Sequence, residues 1–299
     1  MKSTSFKNHG LKVAANMFFP EDFDEGKKYP ALAVAHPAGG VKEQTAGLYA
    51  EKIAKAGYVT MAFDASYQGE SEGSPRGFED PTTRVGDIHA AIDYFMTLPY
   101  VDADRIGAVG ICAGGGYTIK AAQTDRRIKA IVGVSPADIG LTFREGWFGN
   151  APDDVFGILE KVAAQRTAEA QGAEPLLSGW VPDAPDANLP QEIQDGYEYY
   201  RTPRAQHKNS VNRFPFVCFD RVIEFSAYDE GLAKLLKVPM LLLVGEKAGT
   251  RWEAEKAYAL AKCEKELVLF DGANHFDMYD KRSDEAVEKI IPFLKKHLK

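Results

Sequence analysis

The sequence predicts an α/β fold: a mostly parallel sheet covered by helices on both faces and interrupted by one large insertion. Three observations predict it. Short, almost unbroken apolar runs at residues 31–35, 128–134 and 239–244 lack the polar alternation of a half-exposed strand, so they read as strands buried on both faces. Segments with apolar residues every three or four positions lie between them, as helices do in a parallel sheet. The interval 138–238 shows no clear strand–helix unit, whereas connections in α/β units run about 2–6 residues plus a helix.

Residues 31–35 form a strand that stops before Pro37 and two glycines. Residues 45–56 have helical spacing (Ala46, Tyr49, Ala50, Ile53, Ala54) and stop at Gly57. The strand 58–63 leads into a polar, glycine-rich loop, 64–76. A helix follows over 84–98, then a strand over 105–111, a helix from 114 to 123 and a strand over 128–134. The insertion opens with Phe143, Trp147 and Phe148. It continues in a helix over 153–171 and a proline-rich connector over 175–190, and ends in YEYYRTPR and NRFPFVCFD. After it come a strand at 239–244, a helix at 251–261, a strand at 266–270 and an amphipathic helix at 284–298. The chain thus divides into a core, 1–139 and 238–299, and a mainly helical cap, 140–237. A cap inserted there lies near the carboxyl ends of the strands, where ligands bind in open α/β sheets.

The chain has 36 Lys+Arg and 43 Asp+Glu, a formal charge of −7. That balance offers no basic footprint for nucleic acid or an anionic membrane. No run approaches the ~18 apolar residues of a membrane span. The N-terminal stretch lacks the apolar core and small-residue cleavage site of a secretory signal. Three cysteines, Cys112, Cys218 and Cys263, are too few and too scattered for a disulfide framework. A cytoplasmic setting is the expectation, and a homodimer is compatible with it. With no HExxH and no CxxC pair, neither a metal nor another cofactor is expected.

Chemistry concentrates at RIGAVGICAGGGY. A strand ends at Ile111 and a helix starts near Gly114, with Gly-x-Cys-x-Gly between them, which is the pattern of a nucleophile elbow. Gly110 and Gly114 allow a close backbone approach where a Cβ would clash. Cys112 then sits at a helix N-terminus, whose field favours thiolate over thiol. The Ala113 N–H is free to point at an oxyanion. Without the Gly-Lys-Ser/Thr ending, the same glycines do not make a phosphate loop. Cys218 and Cys263 lack this context and read as structural. His275, in ELVLFDGANHFDMYD, follows the last strand and so lies at the same sheet end as Cys112. Of the other histidines only His36 sits at a comparable strand end. The loop after residue 35 supplies a second oxyanion donor, and Ala38 is preferred because Pro37 has no N–H. Asp64 and Ser71 read as loop-holding hydrogen bonders.

GICAGG, HPAGGVKEQTA, FDASYQGES, VDADRIGAVG and GANHFDMYD resemble the α/β-hydrolase superfamily, most of all its dienelactone-hydrolase-like and polyketide-transferase-like members. The resemblance covers 11–139 and 238–298. It implies an eight-stranded, mostly parallel sheet and a Ser/Cys–acid–His triad. The usual position of the acid is taken by Ala248, which leaves Asp138, preferred, and Glu246. The expected activity is attack by Cys112 on an ester, lactone or thioester of a small-molecule acyl substrate. His275 would act as base and then acid, and Ala113 and Ala38 would hold the oxyanion. An acyltransferase with the same site is one alternative. A non-catalytic ligand-binding protein of this fold is another, favoured by Ala248. The insertion's aromatics (Trp147, Phe148, Trp180, Tyr197, Tyr199, Tyr200, Phe214, Phe216) line an acyl pocket or form the insertion's own core, with the core preferred for most. Arg201 and Arg204 read as solvated surface rather than as carboxylate binders.

Overall fold

The computed structural model describes residues 1–150 and 154–299. Its core strands are β1 (Lys2–Asn8), β2 (Leu11–Phe18), β3 (Tyr29–Ala35), β4 (Val59–Phe63), β5 (Val101–Ile111) and β6 (Ile128–Val134). Helices α1 (Thr45–Ala54), α2 (Pro81–Met96) and α3 (Ala113–Ala122) alternate with them. After β6 come α4 (Ile139–Glu145), α5 (Val155–Ala170), β7 (Leu177–Ser178), α6 (Gln191–Arg201), β8 (Phe214–Pro215), α7 (Phe219–Glu224) and α8 (Glu230–Leu235). The core resumes with β9 (Met240–Gly245), α9 (Arg251–Leu260), β10 (Lys265–Phe270) and α10 (Ser283–His297). The helix foreseen over 153–171 is α5; its first predicted residue, Asp153, lies outside the described residues.

The eight-stranded sheet has the order β1-β2-β4-β3-β5-β6-β9-β10. Only β2 runs against its neighbours; β4 to β10 are parallel. Period-two alternation sends strand side chains to two separate layers. Ala31, Ala33, Ile106 and Leu242 pack with Ile88 and Phe95 of α2 and Tyr117 of α3. Leu32, Val34, Val109 and Leu241 pack with Tyr49 and Ile53 of α1 and Ile290 and Phe293 of α10. Burial of both faces is why these strands are apolar throughout.

The β1–β2 hairpin was not legible in the apolar pattern. It turns through His9 and Gly10, both at positive φ, and β1 is polar apart from Phe6, with only Phe6 and Asn8 buried. Because β3, β5, β6, β9 and β10 share a direction, the loops after Ala35, Ile111, Val134, Gly245 and Phe270 all emerge at one edge of the sheet. The chain between β6 and β9 covers that edge.

Candidate active site

Cys112 joins β5 to α3 with φ 53° and ψ −124°. An L residue held in that region costs about 1–3 kcal/mol and persists only where the surroundings over-determine it. Here its N–H donates to the Val134 carbonyl (3.0 Å), and its own carbonyl accepts from Gly115 (2.8 Å) and Ala137 (2.9 Å). A Cβ on Gly110 would run into the Gly114 carbonyl, and one on Gly114 into that of Ala35. The two glycines are therefore what lets α3 start this close to β5 and β3.

His275 reaches the site from the far side. It follows β10, three strand spacings from β5, about 14 Å. Asp271 to His275 can span roughly 16 Å when extended, enough to fold back across the edge. Ser135 Oγ donates to the His275 carbonyl at 3.3 Å, and the Lys247 N–H donates to the Ala273 carbonyl at 2.9 Å. The imidazole is fully buried. Its Nδ1 lies 2.7 Å from the Thr250 hydroxyl and its Nε2 3.1 Å from the Tyr279 hydroxyl. Tyr279 and Cys112 line the same cavity, the hydroxyl near the sulfur without a well-formed hydrogen bond.

Neither carboxylate predicted to orient His275 meets it. Asp138 caps α4: one oxygen accepts from the Leu141 N–H (3.1 Å), the other from Ala227 (2.6 Å) and Tyr228 (3.0 Å). Those bonds tie the insertion's entry to its exit and leave that carboxylate no reach toward the imidazole. Glu246 is exposed and accepts from the Gly272 N–H at 3.2 Å. Among the described residues no carboxylate forms a salt bridge with His275; Thr250, directly before α9, stands where an acid was expected.

Sequence reasoning missed two buried carboxylates, one of which, Glu192, flanks the histidine. Glu192, from α6, accepts from the backbone N–H of His275 (2.7 Å) and Gly249 (2.7 Å) and from Trp147 Nε1 (2.6 Å). One insertion side chain thereby grips both loops that present His275 and Thr250. Trp147 packs on the imidazole with ring centroids 4.9 Å apart. Glu253 of α9 accepts from the Asp138 N–H (2.6 Å) and the Thr142 hydroxyl (2.8 Å). Burial, reinforced by Asp138, pushes its carboxyl up to about 8.

Burial dominates the electrostatics of the reactive pair as well. It pushes the Cys112 thiol up to about 11, against the pull of the Tyr279 hydroxyl and the Ala113 N–H. It pushes His275 down to about 3. At Cys112 burial opposes the helix-start field, and at both groups it favours the neutral forms, thiol and imidazole.

Cys112, Ala113 and Ala38 line one cavity of about 380 Å³. The insertion supplies much of its wall, including Phe143, Trp147, Trp180, Ile193 and Tyr200, and among the described residues no charged side chain lines it. Four of the eight predicted aromatics thus face the cavity, whereas Phe214 and Phe216 pack within the insertion. Ala38 is held from behind: Arg84 donates to the His36 carbonyl (2.5 Å), and Glu79 lies beside Arg84 (3.5 Å) and accepts from Tyr117 (2.7 Å). Asp64 and Ser71 act in loops, Asp64 accepting from the Lys42 N–H and ammonium (both 2.8 Å) and Ser71 donating to the Asp64 carbonyl (2.7 Å). The acidic cluster Glu43, Asp64 and Glu70 converges on that same ammonium. Arg204 is neither solvated nor in the cavity; it forks onto Asp280 at 2.8 and 2.7 Å.

A model of the dienelactone hydrolase family matches residues 14–145. The uncharacterised protein YcjY of Escherichia coli K12 is 42% identical over 303 residues, covering 99% of this chain and 97% of its own. The chain belongs to the dienelactone hydrolase family. The crystal structure of hypothetical protein PA2218 from Pseudomonas aeruginosa, 33% identical, superposes with a TM-score of 0.91 over 99% of this chain and 93% of that one. The α/β-hydrolase GrgF from Penicillium sp., a polyketide transferase by name, shares the fold at 21% identity, with a TM-score of 0.80 over 99% and 98% of the two chains. Membership puts the chain among α/β-hydrolases of hydrolase or acyl-transfer type. In this dienelactone hydrolase relative, no helix among the described residues is long and apolar enough to cross a membrane.

Proposed function

We propose that the protein is a cysteine-nucleophile hydrolase of neutral, apolar acyl esters, lactones or thioesters. The observation that carries this reading is Cys112 itself: a strained residue between two obligatory glycines, at the head of α3, on the wall of a cavity that no charged side chain among the described residues lines. The sulfur attacks the acyl carbonyl as its proton leaves toward His275. The Ala113 and Ala38 N–H groups receive the oxyanion, and His275 returns the proton to the leaving group. Water, activated in the same way, then releases the acid. A site that starts neutral and, among the described residues, pairs its base with a hydroxyl rather than a carboxylate suits reactive acyl groups, thioesters and strained lactones, rather than amides. The relative named as a polyketide transferase favours a second outcome, transfer of the acyl group from Cys112 to an acceptor hydroxyl.

Brief incubation with p-nitrophenyl hexanoate or a hexanoyl thioester, followed by acid quench and peptide mass analysis, tests the reading. The expected product carries the acyl mass on Cys112, and C112A loses turnover. Full turnover in C112A would overturn it. Adding an alcohol and analysing products separates hydrolysis from transfer.

A further inference from the structure

His275 immediately precedes the 3₁₀ turn Phe276–Tyr279, and the tight turn brings the Tyr279 hydroxyl back to the imidazole. The consequence is an arrangement that the usual nucleophile–histidine contact does not describe. Among the described residues the Cys112 side chain makes no well-formed hydrogen bond, to the imidazole or to any other group. The imidazole is fully buried and is not on the cavity wall, whereas Tyr279 is. Tyr279 joins the two: its hydroxyl lies 3.1 Å from Nε2, and it shares the cavity wall with Cys112, near the sulfur without a well-formed hydrogen bond to it. Its ring is fixed against Tyr199 (5.0 Å) and Phe276 (5.0 Å). The Tyr200 hydroxyl comes near it without a well-formed hydrogen bond.

We propose that Tyr279 is a catalytic residue whose phenol hydroxyl carries the proton between Cys112 and His275. The proposal rests on the Cys112 reading above and deepens it. In the forward step the Cys112 S–H proton passes to Tyr279 Oη while the Tyr279 proton passes to His275 Nε2. The sulfur–carbon bond forms as the carbonyl becomes an oxyanion. The phenol ends as it began, neutral and with one proton, and the histidine holds the transferred charge. On collapse the reverse movement delivers the proton through Tyr279 to the leaving heteroatom as its bond to carbon breaks. The Thr250 hydroxyl at Nδ1 keeps Nε2 free to accept.

The test compares Y279F with wild type on an activated ester, with kcat/KM measured in mixtures of H2O and D2O. Loss of a positioned acid–base group is expected to lower kcat/KM by about 100-fold or more with KM nearly unchanged. The wild-type dependence on deuterium fraction should be curved, as two protons move together, and that curvature should vanish in Y279F. A Y279F enzyme within about threefold of wild type, or a linear wild-type dependence, overturns the proposal. If Y279F fails to fold, 3-fluorotyrosine placed at position 279 keeps the hydroxyl and makes it more acidic. A changed rate and isotope effect then support the relay, and an unchanged rate overturns it. C112A separates the two levels: activity surviving in C112A removes the nucleophile reading, whereas activity lost in C112A but kept in Y279F removes only the phenol step.

Discussion

Alkylation of Cys112 should accelerate about tenfold per pH unit through neutrality and keep rising to about pH 10. With burial holding the thiol at about 11, its thiolate fraction at pH 8 is ~0.1%, against roughly a quarter for a free thiol of pKa ~8.5. That is a deficit of about 200-fold. A more basic thiolate is also more nucleophilic: with a Brønsted slope of about 0.4–0.5 over ~2.5 units, about tenfold is recovered. Cys112 should therefore react about 20-fold more slowly than glutathione at pH 8. The assay is the iodoacetamide rate on the Cys112 peptide by mass spectrometry, in short pulses from pH 6 to 10.5. Restricted access would lower every rate but not move the pH at which the slope breaks. A plateau beginning at pH 6–7 would refute the reasoning, because it would mean a thiolate–imidazolium pair that outweighs burial.

Three further outcomes follow from the same contacts. E192Q removes a carboxylate that accepts three N–H donors, and should cost about 1.5–3 kcal/mol by urea denaturation and lower kcat by loosening the His275 loop; an unchanged midpoint would show that the grip on those loops is idle. Glu253 titrates at about 8 when folded and near 4.5 when unfolded, so its stabilising contribution is complete below pH 4.5 and is lost as pH rises through 8. E253Q mimics the protonated form and should be the more stable protein at pH 8 by on the order of a few kcal/mol, with little difference at pH 4.5; equal destabilisation at both values would contradict the shift. G114A drives a Cβ into the Ala35 carbonyl and should lower stability by several kcal/mol, read as a fall in Tm.

The sheet, its two helical layers and the elbow were legible because each leaves a local signature. Unbroken apolar strands, amphipathic helices and glycines two residues either side of Cys112 are all set by neighbours in sequence. The partner of His275 was not legible. Thr250 and Glu192 meet it through tertiary contacts 25 and 83 positions away, and a threonine before a helix reads as an ordinary cap. Asp138 misled because a buried carboxylate after a strand serves equally well as a helix cap, which is its role here. Tyr279 is close to His275 in sequence, but only the 3₁₀ turn over 276–279 brings its hydroxyl to the imidazole, and no pattern in the sequence marks that turn.

The insertion and the chemistry are linked through burial. Trp147 and Glu192 close over His275, and with Tyr200 and Trp180 they remove water from the cavity wall. The same dryness that raises the thiol and depresses the imidazole also strengthens each hydrogen bond to the developing oxyanion, since fixed dipoles act more strongly where water is excluded. A neutral resting pair pays no desolvation cost for charge until a substrate arrives. In the proposed reaction charge appears at the carbonyl oxygen, facing Ala113 and Ala38, and at the imidazole, facing Thr250. A reactive acyl group makes that separation easiest, because less of the driving force must come from the base. The absent triad acid and the covered cavity are thus consistent with each other: both select a carbonyl that needs positioning and an oxyanion hole more than it needs a strong base.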